Sequence, residues 1–409
     1  MIDINLLREN PERFKQATTN KQKDSSLVDR MLQLDEQRRK LLGEIEDLRA
    51  KRNQIAKEGK ASDEGKQIKE ELKTKEPELK QVEEDFNKVL KQIPNLYSDD
   101  TPVGKDESEN KVIRSWGEPT KFSFEPKDHL ALGEALGIID VESASKITGS
   151  RFAYLKGDLA KLEFAIVQFT LDTLSKKGFI PVVPPVMMKP QVMERMARLE
   201  PKEERYYIPQ ADLYLVGSAE HTLGPLHMDQ TLNEKDLPIR YVGFSTSFRE
   251  EAGSYGKDTR GILRVHQFDK VEMESFTAPD KGLEEQDFIV GIQEELMQLL
   301  KIPYQVVQIC TGDMGGPDFR QIDIESWMPG QNKFRETHTS DYMTDYQSRR
   351  LNTKVRIGDK TEFVHMNDAT VFAIGRTIIA IMENYQQEDG SILIPEVLQK
   401  WMGKERIGK

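Results

Sequence analysis

The feature that most constrains the fold is a pair of heptad repeats near the N-terminus. A four-three spacing places side chains along one side of a helix, where they need a partner helix. Two runs keep this spacing unbroken: Leu27, Met31, Leu34, Arg38, Leu41, Ile45, Leu48, Arg52 and Ile55, then Ile68, Leu72, Lys75, Leu79, Val82, Phe86, Val89, Ile93 and Leu96. Residues 57–67 between them contain two glycines and a Ser-Asp pair, enough to reverse the chain. The sequence therefore predicts an antiparallel two-helix coiled coil over about residues 27–97, kinked or briefly broken at Pro77.

The charge of this arm (residues 27–97) differs from that of the whole chain. The arm holds 16 Lys and Arg against 16 Asp and Glu, whereas the net charge of the 409 residues is -11. A negative protein attracts nucleic acid poorly, so any RNA contact has to use a local basic surface. The basic residues towards the tip of the first helix are Arg49, Lys51, Arg52, Lys57 and Lys60. They are candidates for phosphate contacts, although the solvated face of a charged helix is the simpler interpretation.

Length and composition exclude several classes of protein. A chain of 409 residues exceeds one typical hydrophobic core, so we expect two domains. Charged residues make up 32% of the chain, and no stretch approaches the roughly eighteen apolar residues of a membrane span. The first residues lack the basic and apolar regions of a secretory signal. The single cysteine, Cys310, agrees with a reducing compartment, so these features predict a cytoplasmic protein without membrane contact.

Residues 248–274 predict a hairpin with a long loop. One alternating segment ends at Phe248 and Arg249, a turn-rich stretch covers residues 252–261, and ILRVHQFDKVEME resumes the period of two. The residues that share one face of the returning strand are Arg264, His266, Phe268, Lys270 and Glu272. Such a face is costly to bury in an apolar core, so we expect it to line a pocket. An edge hairpin with a solvated charged face is the alternative.

Two later segments also carry charges in unusual places. Arg376 lies in HMNDATVFAIGRTIIAIMENYQ, residues 365–386, an otherwise apolar helical run. An uncompensated guanidinium is expensive there, so Arg376 needs an anion, either a core carboxylate or a bound phosphate. Residues 322–352 predict two strands around a turn, with Asp323 and Glu325 on one face.

These segments resemble the class II aminoacyl-tRNA synthetases, and in detail the seryl-tRNA synthetases. EAGSYGKDTRG...RVHQFDKVE is similar to motif 2, and residues 365–386 are similar to motif 3. The helix after residue 151 and the extended IPVVPPVMM look like motif 1, with Pro185 at its proline position. The resemblance covers nearly the whole chain. It implies an α+β fold in which an antiparallel two-helix coiled-coil arm precedes a catalytic domain built on an antiparallel β-sheet flanked by helices.

The predicted domain boundaries follow from this resemblance and from composition. Residues 1–105 would form a tRNA-binding domain that contains the arm, and residues 122–409 the catalytic domain. Residues 98–121 are rich in Pro, Gly, Ser and charge, and residues 106–121 within them would be the linker.

The resemblance also implies an activity and partners. Such an enzyme activates L-serine with ATP to seryl-adenylate, then transfers it to the 3′ end of tRNA(Ser), with tRNA(Sec) open as a further acceptor. It would act as a cytoplasmic homodimer and use Mg²⁺ bound with ATP. A ligase that loads a carrier protein, and a coiled-coil scaffold with an inactive enzyme domain, are the alternatives.

Site residues are carried over from the family motifs, including the serine-binding element Thr-x-Glu, which VGSAEH at residues 216–221 resembles. The implied catalytic residues are Arg249, Glu251 and Arg376. The implied serine ligands are Ser218, Glu220, Arg249, Glu272 and Thr370. The implied ATP-binding residues are Arg249, Glu251, Val265, Phe268, Glu336, Thr337, His338, Thr339 and Arg376. Glu336 and Thr339 would hold Mg²⁺.

The chain departs from the family in two places. After Arg335 the family reads Glu-hydrophobic-Ser-Ser-Cys-Ser-Asn-Cys, whereas this chain reads ETHTSDYM from Glu336 to Met343. The Asn-Gly-Ser of motif 3 aligns with residues 368–370, Asp-Ala-Thr. His338 and Asp341 could suggest a metal pair, but two isolated ligands are a weak signal. Both departures fall in the predicted serine pocket.

Overall fold

The structure is a computed structural model that describes residues 1–57, 63–252 and 260–408. The chain divides into two compact units, Met1–Tyr97 and Ser98–Lys409. The centre of the turn predicted between the arm helices, with Lys60, lies outside the described residues, as does most of the loop predicted at 252–261. No helix in the described ranges is long and apolar enough to cross a membrane.

The elements are numbered along the chain. The helices are α1 (Ile4–Glu9), α2 (Pro11–Asn20), α3 (Ser26–Lys57), α4 (Asp63–Leu90), α5 (His129–Ala135), α6 (Val141–Thr148), α7 (Asp158–Ser175), α8 (Pro190–Arg195), α9 (Glu220–Leu223), α10 (Gly282–Leu299), α11 (Tyr346–Leu351), α12 (Ile374–Tyr385) and α13 (Glu396–Met402). The strands are β1 (Lys111–Trp116), β2 (Ile139–Asp140), β3 (Tyr154–Leu155), β4 (Ile180–Val182), β5 (Met187–Met188), β6 (Tyr207–Ile208), β7 (Leu213–Leu215), β8 (Thr231–Asn233), β9 (Ile239–Phe248), β10 (Gln267–Thr277), β11 (Tyr304–Gln308), β12 (Arg320–Met328), β13 (Lys333–Tyr342), β14 (Lys354–Ile357), β15 (Lys360–Phe363), β16 (His365–Ala373), β17 (Ile392–Leu393) and β18 (Arg406–Ile407).

The first unit contains the predicted arm, formed by α3 and α4. Ile45, Ile68 and Leu72, all heptad positions, are buried between the two helices. Ion pairs that join the helices are Arg38 Nε with Glu83 Oε1 at 3.2 Å, Arg49 Nη2 with Glu76 Oε1 at 2.8 Å, and Lys75 Nζ with Glu44 Oε2 at 2.5 Å. The heptad interpretation is confirmed, because its apolar positions form the contact surface.

The second arm helix is continuous at Pro77, which excludes the predicted break there and leaves a kink as the prediction, and it ends earlier than the heptads predicted. α4 runs through Pro77 without a break, since burial of Leu72 and Phe86 on either side offsets the hydrogen bond that a proline removes. It also ends at Leu90, so Ile93 is buried in the segment after the helix. Pro94 follows Ile93 and disfavours a helical conformation for it.

An eight-stranded sheet organises the second unit. Its strand order is β1-β11-β12-β13-β16-β10-β9-β4. The neighbours pair antiparallel, except that β4 pairs parallel with β9. Residues 106–121, predicted as a linker, include β1, which is the edge strand of this sheet. That part of the prediction is wrong because KVIRSW is exposed along most of its length and therefore shows no apolar alternation.

Alternation along the strands gives the sheet two different faces. Val271 and Met273 of β10 are fully buried in a core completed by apolar sides of α7, α10 and α12. Residues at even positions of the same strand, such as Lys270 and Glu272, point to the opposite face. The helices thus seal one face of the sheet and leave a polar face on the other.

Candidate active site

The polar face of the sheet opens into a cavity of about 190 Å³. The lining residues are Arg198, Glu220, Arg249, Glu251, Ile262, Leu263, Arg264, Val265, Phe268, Lys270, Glu336, Thr337, Thr339, Asp341, Asp368, Thr370, Ala373, Gly375 and Arg376. They come from α9, β10, β13, β16 and α12 and from the segments that follow α8 and β9, so segments far apart in sequence meet at one place. Most of the predicted site residues are in this set, but Ser218, Glu272 and His338 are not.

The hairpin of β9 and β10 supplies one wall. Arg249 follows β9 directly; its Nε donates to Gly217 O at 3.2 Å, and its Cζ lies 5.4 Å from the centre of the Phe268 ring. Glu251 has a φ of 51° and accepts from Arg264 Nη1 at 2.7 Å. The prediction that the returning strand begins before residue 266 is wrong, because β10 begins at Gln267. His266 faces the carbonyl of Arg249, 3.0 Å from its Nδ1, and does not line the cavity.

A buried histidine anchors the segment that enters β10. His129 Nε2 accepts from Ile262 N at 3.2 Å, and its Nδ1 lies 3.3 Å from Glu383 Oε1 in α12. Gly261, with a φ of +71°, passes so close that a β-carbon there would lie 2.0 Å from His129 Nε2. The cavity wall formed by residues 262–265 is therefore held against α12.

The end of the cavity nearest α9 is acidic. Arg198 lies among its carboxylates, with Nε 3.0 Å from Glu220 Oε1 and Nη2 2.8 Å from Asp368 Oδ2. Burial by itself would raise the pKa of Glu220, but the positive charges of Arg198 and its neighbours outweigh burial and lower that pKa to about 2. Asp341 lies opposite Asp368 across β13 and β16. We call Glu220, Asp341, Asp368 and the adjacent Thr370 the acidic end.

Glu272 lies beneath this end and not in the cavity. Its Oε1 accepts from Ser218 Oγ at 2.9 Å and from Thr370 Oγ1 at 3.1 Å, and it pairs closely with Lys270. Ser218 and Glu272, predicted to contact serine, are both fully buried and bond to each other, so neither side chain borders the cavity. Thr370 and Lys270 are the members of the cluster that reach the cavity.

The opposite end carries the predicted metal and γ-phosphate residues. Arg376 Nη1 lies 3.3 Å from Glu336 Oε1, and Thr339 Oγ1 donates to the same oxygen at 3.4 Å. Burial alone would raise the pKa of Glu336, but Arg376 and Arg249 lower it, so this carboxylate is charged. Arg376 is thus paired with a carboxylate that also faces the cavity.

Of the predicted ATP-binding residues in β13, Thr337 borders the cavity and His338 does not. His338 is fully buried on the core side of β13, where its ring lies 5.3 Å from that of Phe372. Burial lowers its pKa to about 3. Thr337 borders the cavity, but its hydroxyl donates to Ile324 O at 3.2 Å. The alternation of the strand turns His338 away, which separates it from Asp341; no group of three or more His, Cys, Asp or Glu in the described ranges is placed to hold a metal ion by itself.

Sequence reasoning missed the part that Arg198 plays in this cavity. Arg198 follows α8 in an irregular segment without periodicity, so no local pattern marks it. The available signal was indirect: Asp341 and Asp368 stand where the family has neutral residues, and buried carboxylates require a cation. Lys270 was placed on the correct face, but its pairing with Glu272 was not foreseen.

Comparison with known proteins agrees with this geometry. Residues 1–97 match the family described as "Seryl-tRNA synthetase N-terminal domain", and residues 205–385 match "tRNA synthetase class II core domain (G, H, P, S and T)". The serine--tRNA ligase of Thermodesulfovibrio yellowstonii is 42% identical over 100% of both chains, and that of Fervidobacterium nodosum is 43% identical over 100% of this chain and 99% of its own. This chain belongs to the seryl-tRNA synthetase family.

Solved seryl-tRNA synthetases have the same fold. The enzyme of Pyrococcus horikoshii, solved in complex with ATP, superposes with a TM-score of 0.95 at 40% identity, covering 100% of this chain and 99% of that one. The cytoplasmic serine-tRNA ligase of Naegleria fowleri, in complex with AMP, gives 0.92 at 35% identity, covering 100% and 98%. The predicted family, the predicted fold class and the assignment to the aminoacyl-tRNA ligases are confirmed.

Proposed function

We propose that this member of the seryl-tRNA synthetase family activates L-serine with ATP and transfers the seryl group to tRNA(Ser). One observation carries the proposal: a single cavity brings Arg249 and Phe268 together with Glu336 and Arg376 at one end and Glu220 at the other. Nucleotide and amino acid would then lie end to end, as adenylate formation requires. The relative solved with ATP supports a nucleotide at this site.

ATP would lie between the hairpin and α12. Phe268 offers a ring face for adenine, and Glu251 and the backbone of Val265 border the same part of the cavity. Glu251 is held by Arg264, which fixes its carboxylate for the adenine edge. Arg249 would bind the α-phosphate and Arg376 the γ-phosphate. Fixed guanidinium groups at these positions stabilise charge as it develops on the phosphates.

The donor set at Glu336 and Thr339 fits Mg²⁺ bound with ATP. A carboxylate and a hydroxyl that face one cavity are hard oxygen ligands, which this ion prefers, and the ion completes its shell with phosphate oxygens and water. When bound, Mg²⁺ would neutralise charge on the departing pyrophosphate. Glu336 is already kept ionised by Arg376, so it can accept a cation without first losing a proton.

Serine would occupy the other end. Glu220, kept ionised by Arg198, would receive the ammonium group. Thr370 donates its own proton to Glu272, so its oxygen is oriented to accept one from the serine hydroxyl. We therefore assign Glu272 and Ser218 a positioning role.

The reaction then needs no covalent enzyme intermediate. A carboxylate oxygen of serine attacks the α-phosphorus in line, the bond to the β-phosphate oxygen breaks, and pyrophosphate leaves. The 3′-hydroxyl of the terminal ribose of the tRNA next attacks the carbonyl carbon of the adenylate, and AMP leaves. Binding and electrostatic stabilisation by Arg249 and Arg376 supply the catalysis.

The first unit would bind the tRNA. Lys51, Arg52 and Lys57, near the tip of α3, are exposed, whereas Arg49 is paired with Glu76. Lys51, Arg52 and Lys57 are therefore the more available phosphate contacts. The match of the whole unit to the seryl-tRNA synthetase N-terminal domain favours this role over the loading of a carrier protein.

We further propose a homodimer in the cytoplasm. α7 packs against the edge strand β4, and nearby apolar side chains are exposed, with Phe164 at 63%, Ile180 at 54% and Val183 at 90%. An exposed apolar patch on an edge strand needs a partner surface. Sedimentation should give a dimer that Phe164→Glu with Val183→Glu dissociates; a parent that sediments as a monomer would contradict the proposal.

Amino-acid-dependent exchange of pyrophosphate into ATP, measured with each of the twenty amino acids, tests the proposed activation. Serine should support exchange well above the others, and charging of tRNA(Ser) should follow with the same preference. Exchange with a different amino acid and not with serine would refute the assignment of the acidic end.

A further inference from the structure

The acidic end holds more negative charge than serine needs. Asp341 and Asp368 face each other across β13 and β16, and both line the cavity beside Glu220. Asp341 is only 7% exposed, and its Oδ1 has no hydrogen-bond partner within the described part of the chain. An acceptor that is buried, unpaired and part of a cavity wall points to a donor that arrives with the ligand.

Serine would satisfy one of these carboxyl groups and not the others. Arg198 lies within ion-pair distance of Glu220 and Asp368. Lys270 and Arg249 line the same cavity, and Lys270 pairs with Glu272. The ammonium group of serine would pair with Glu220, which leaves the carboxyl groups of Asp341 and Asp368 facing each other.

The surroundings of Asp341 and Asp368 favour the protonated form of both carboxyl groups when no cation lies between them. Burial, together with Asp318 and Asp368, raises the pKa of Asp341 well above its usual range. Burial and Glu220 do the same for the pKa of Asp368, against the opposing effect of Arg198. A buried cation placed between two such carboxyls would replace their protons.

We propose that the acidic end also accepts a small α-amino acid with a second amino group on its β-carbon, activated in the same way as serine. The proposal rests on the assignment of this end to the amino acid. L-2,3-Diaminopropionate has the size of serine, with an ammonium group in place of the hydroxyl, so the cavity requires no enlargement.

The geometry suits an ammonium group at that position. Thr370 and Asp368 are two residues apart on β16 and face the same side, so a group bound to Thr370 lies about 7 Å or less from the Asp368 carboxylate. At that distance, with an effective dielectric constant near 20, one charge pair changes affinity by roughly tenfold to a hundredfold. The reaction balances as it does for serine: a carboxylate oxygen of the diamino acid attacks the α-phosphorus and pyrophosphate leaves.

Pyrophosphate exchange with three amino acids that differ only in the group on the β-carbon tests the proposal. With the full-length enzyme, kcat/KM should be measured for L-serine, L-2,3-diaminopropionate and L-alanine. We expect the diamino acid to be activated within about tenfold of serine and at least about a hundredfold better than alanine, which lacks the polar group. Diaminopropionate no better than alanine, while serine is active, overturns the inference and leaves the serine activity in place. Loss of exchange with serine itself overturns the proposed function as well.

Neutralising variants identify the carboxylates responsible. In Asp341→Asn, and separately in Asp341→Ser, which removes the carboxyl group and leaves a small polar side chain, the ratio of diaminopropionate to serine activity should fall by tenfold or more. Asp280→Asn makes the same change at an exposed aspartate just after β10 and should leave the ratio unchanged. The ratio is internal to each protein, so a partly unfolded variant still gives a valid comparison. An unchanged ratio in both Asp341 variants refutes the role of Asp341.

Discussion

Replacing Arg198 by Met removes the cation from the acidic end while keeping a side chain of similar length. Glu220 and Asp368 then lose a partner at 3.0 Å and 2.8 Å. Their side chains are only 13% and 2% exposed, so water in the cavity can replace this partner only in part. Removing one partner of a buried ion pair costs about 3–5 kcal/mol. Asp368 can take up a proton because burial already raises its pKa, so we expect the loss at pH 7 to lie near the lower figure.

The pH dependence of this loss has a definite sign. The pKa of Glu220 is lowered from 4.5 to about 2, against burial, chiefly by Arg198. A carboxyl with a depressed pKa contributes stability that is present above its unfolded value and is lost as the pH falls through the folded value. The parent and Arg198→Met should therefore differ most above about pH 5 and converge towards pH 2, a range set by this shift.

Urea unfolding followed by tryptophan fluorescence measures this loss of stability in the structural unit that contains Arg198. Trp116, Trp327 and Trp401 all lie in Ser98–Lys409, so their signal reports the unfolding of that unit. Arg356→Met, at an exposed position of β14, is the matched control and should change stability by less than about 1 kcal/mol. The KM for serine should also rise in Arg198→Met and recover partly in Arg198→Lys. A loss below about 1 kcal/mol at pH 7 with an unchanged KM would falsify the charge role of Arg198.

The remaining predictions concern the reaction and the arm. Arg249→Ala and Arg376→Ala should each lower serine-dependent pyrophosphate exchange by about a hundredfold to a thousandfold in folded protein; near-normal exchange in either variant would remove that residue from the mechanism. Thr370→Ala should bring the rates with serine and alanine closer together, and an unchanged ratio would mean that another group reads the hydroxyl. Replacing residues 27–97 with a short linker should leave pyrophosphate exchange unchanged but abolish charging of tRNA. Full charging by the truncated enzyme would show that the arm is not needed to bind tRNA. Neutralising Lys51 and Arg52 should flatten the salt dependence of tRNA binding by about 0.7–0.9 in slope for each phosphate that is no longer neutralised; a slope equal to that of the parent would exclude both residues.

The elements that sequence predicted well are those with a strong period or a contiguous motif. The heptads of α3 and α4 and the alternation of β10 indicate which side of each element is buried. These elements and their buried sides could therefore be predicted from the sequence alone. The same logic failed for β1, whose faces are both largely exposed, and for the end of α4, where Pro94 overrides a heptad that continues.

Site residues were predicted where a motif places them on one strand face, and missed where the partner comes from elsewhere. Arg249 and Phe268 line the cavity as expected. Glu272 shares that face, but its side chain is enclosed by Ser218 and Lys270. The alternation of a strand shows which face a side chain is on, but not how deeply that side chain is buried. Arg198 lies in a loop distant in sequence from the carboxylates that it neutralises. Long-range charge compensation of this kind becomes visible only when the strands are placed side by side.

The contact between His129 and Gly261 means that the residues allowed at one of these two positions depend on the residue at the other. Any residue with a β-carbon at position 261 would overlap the imidazole, with 2.0 Å left between the two atoms. A substitution at 261 can therefore survive only in a lineage in which residue 129 has already become smaller, and that smaller residue would leave Ile262 N without its acceptor and Glu383 without its imidazole neighbour. Steric overlap thus fixes the order in which substitutions can accumulate along this wall of the cavity. The rate of amino-acid substitution there should be lower than the small size of the wall would suggest.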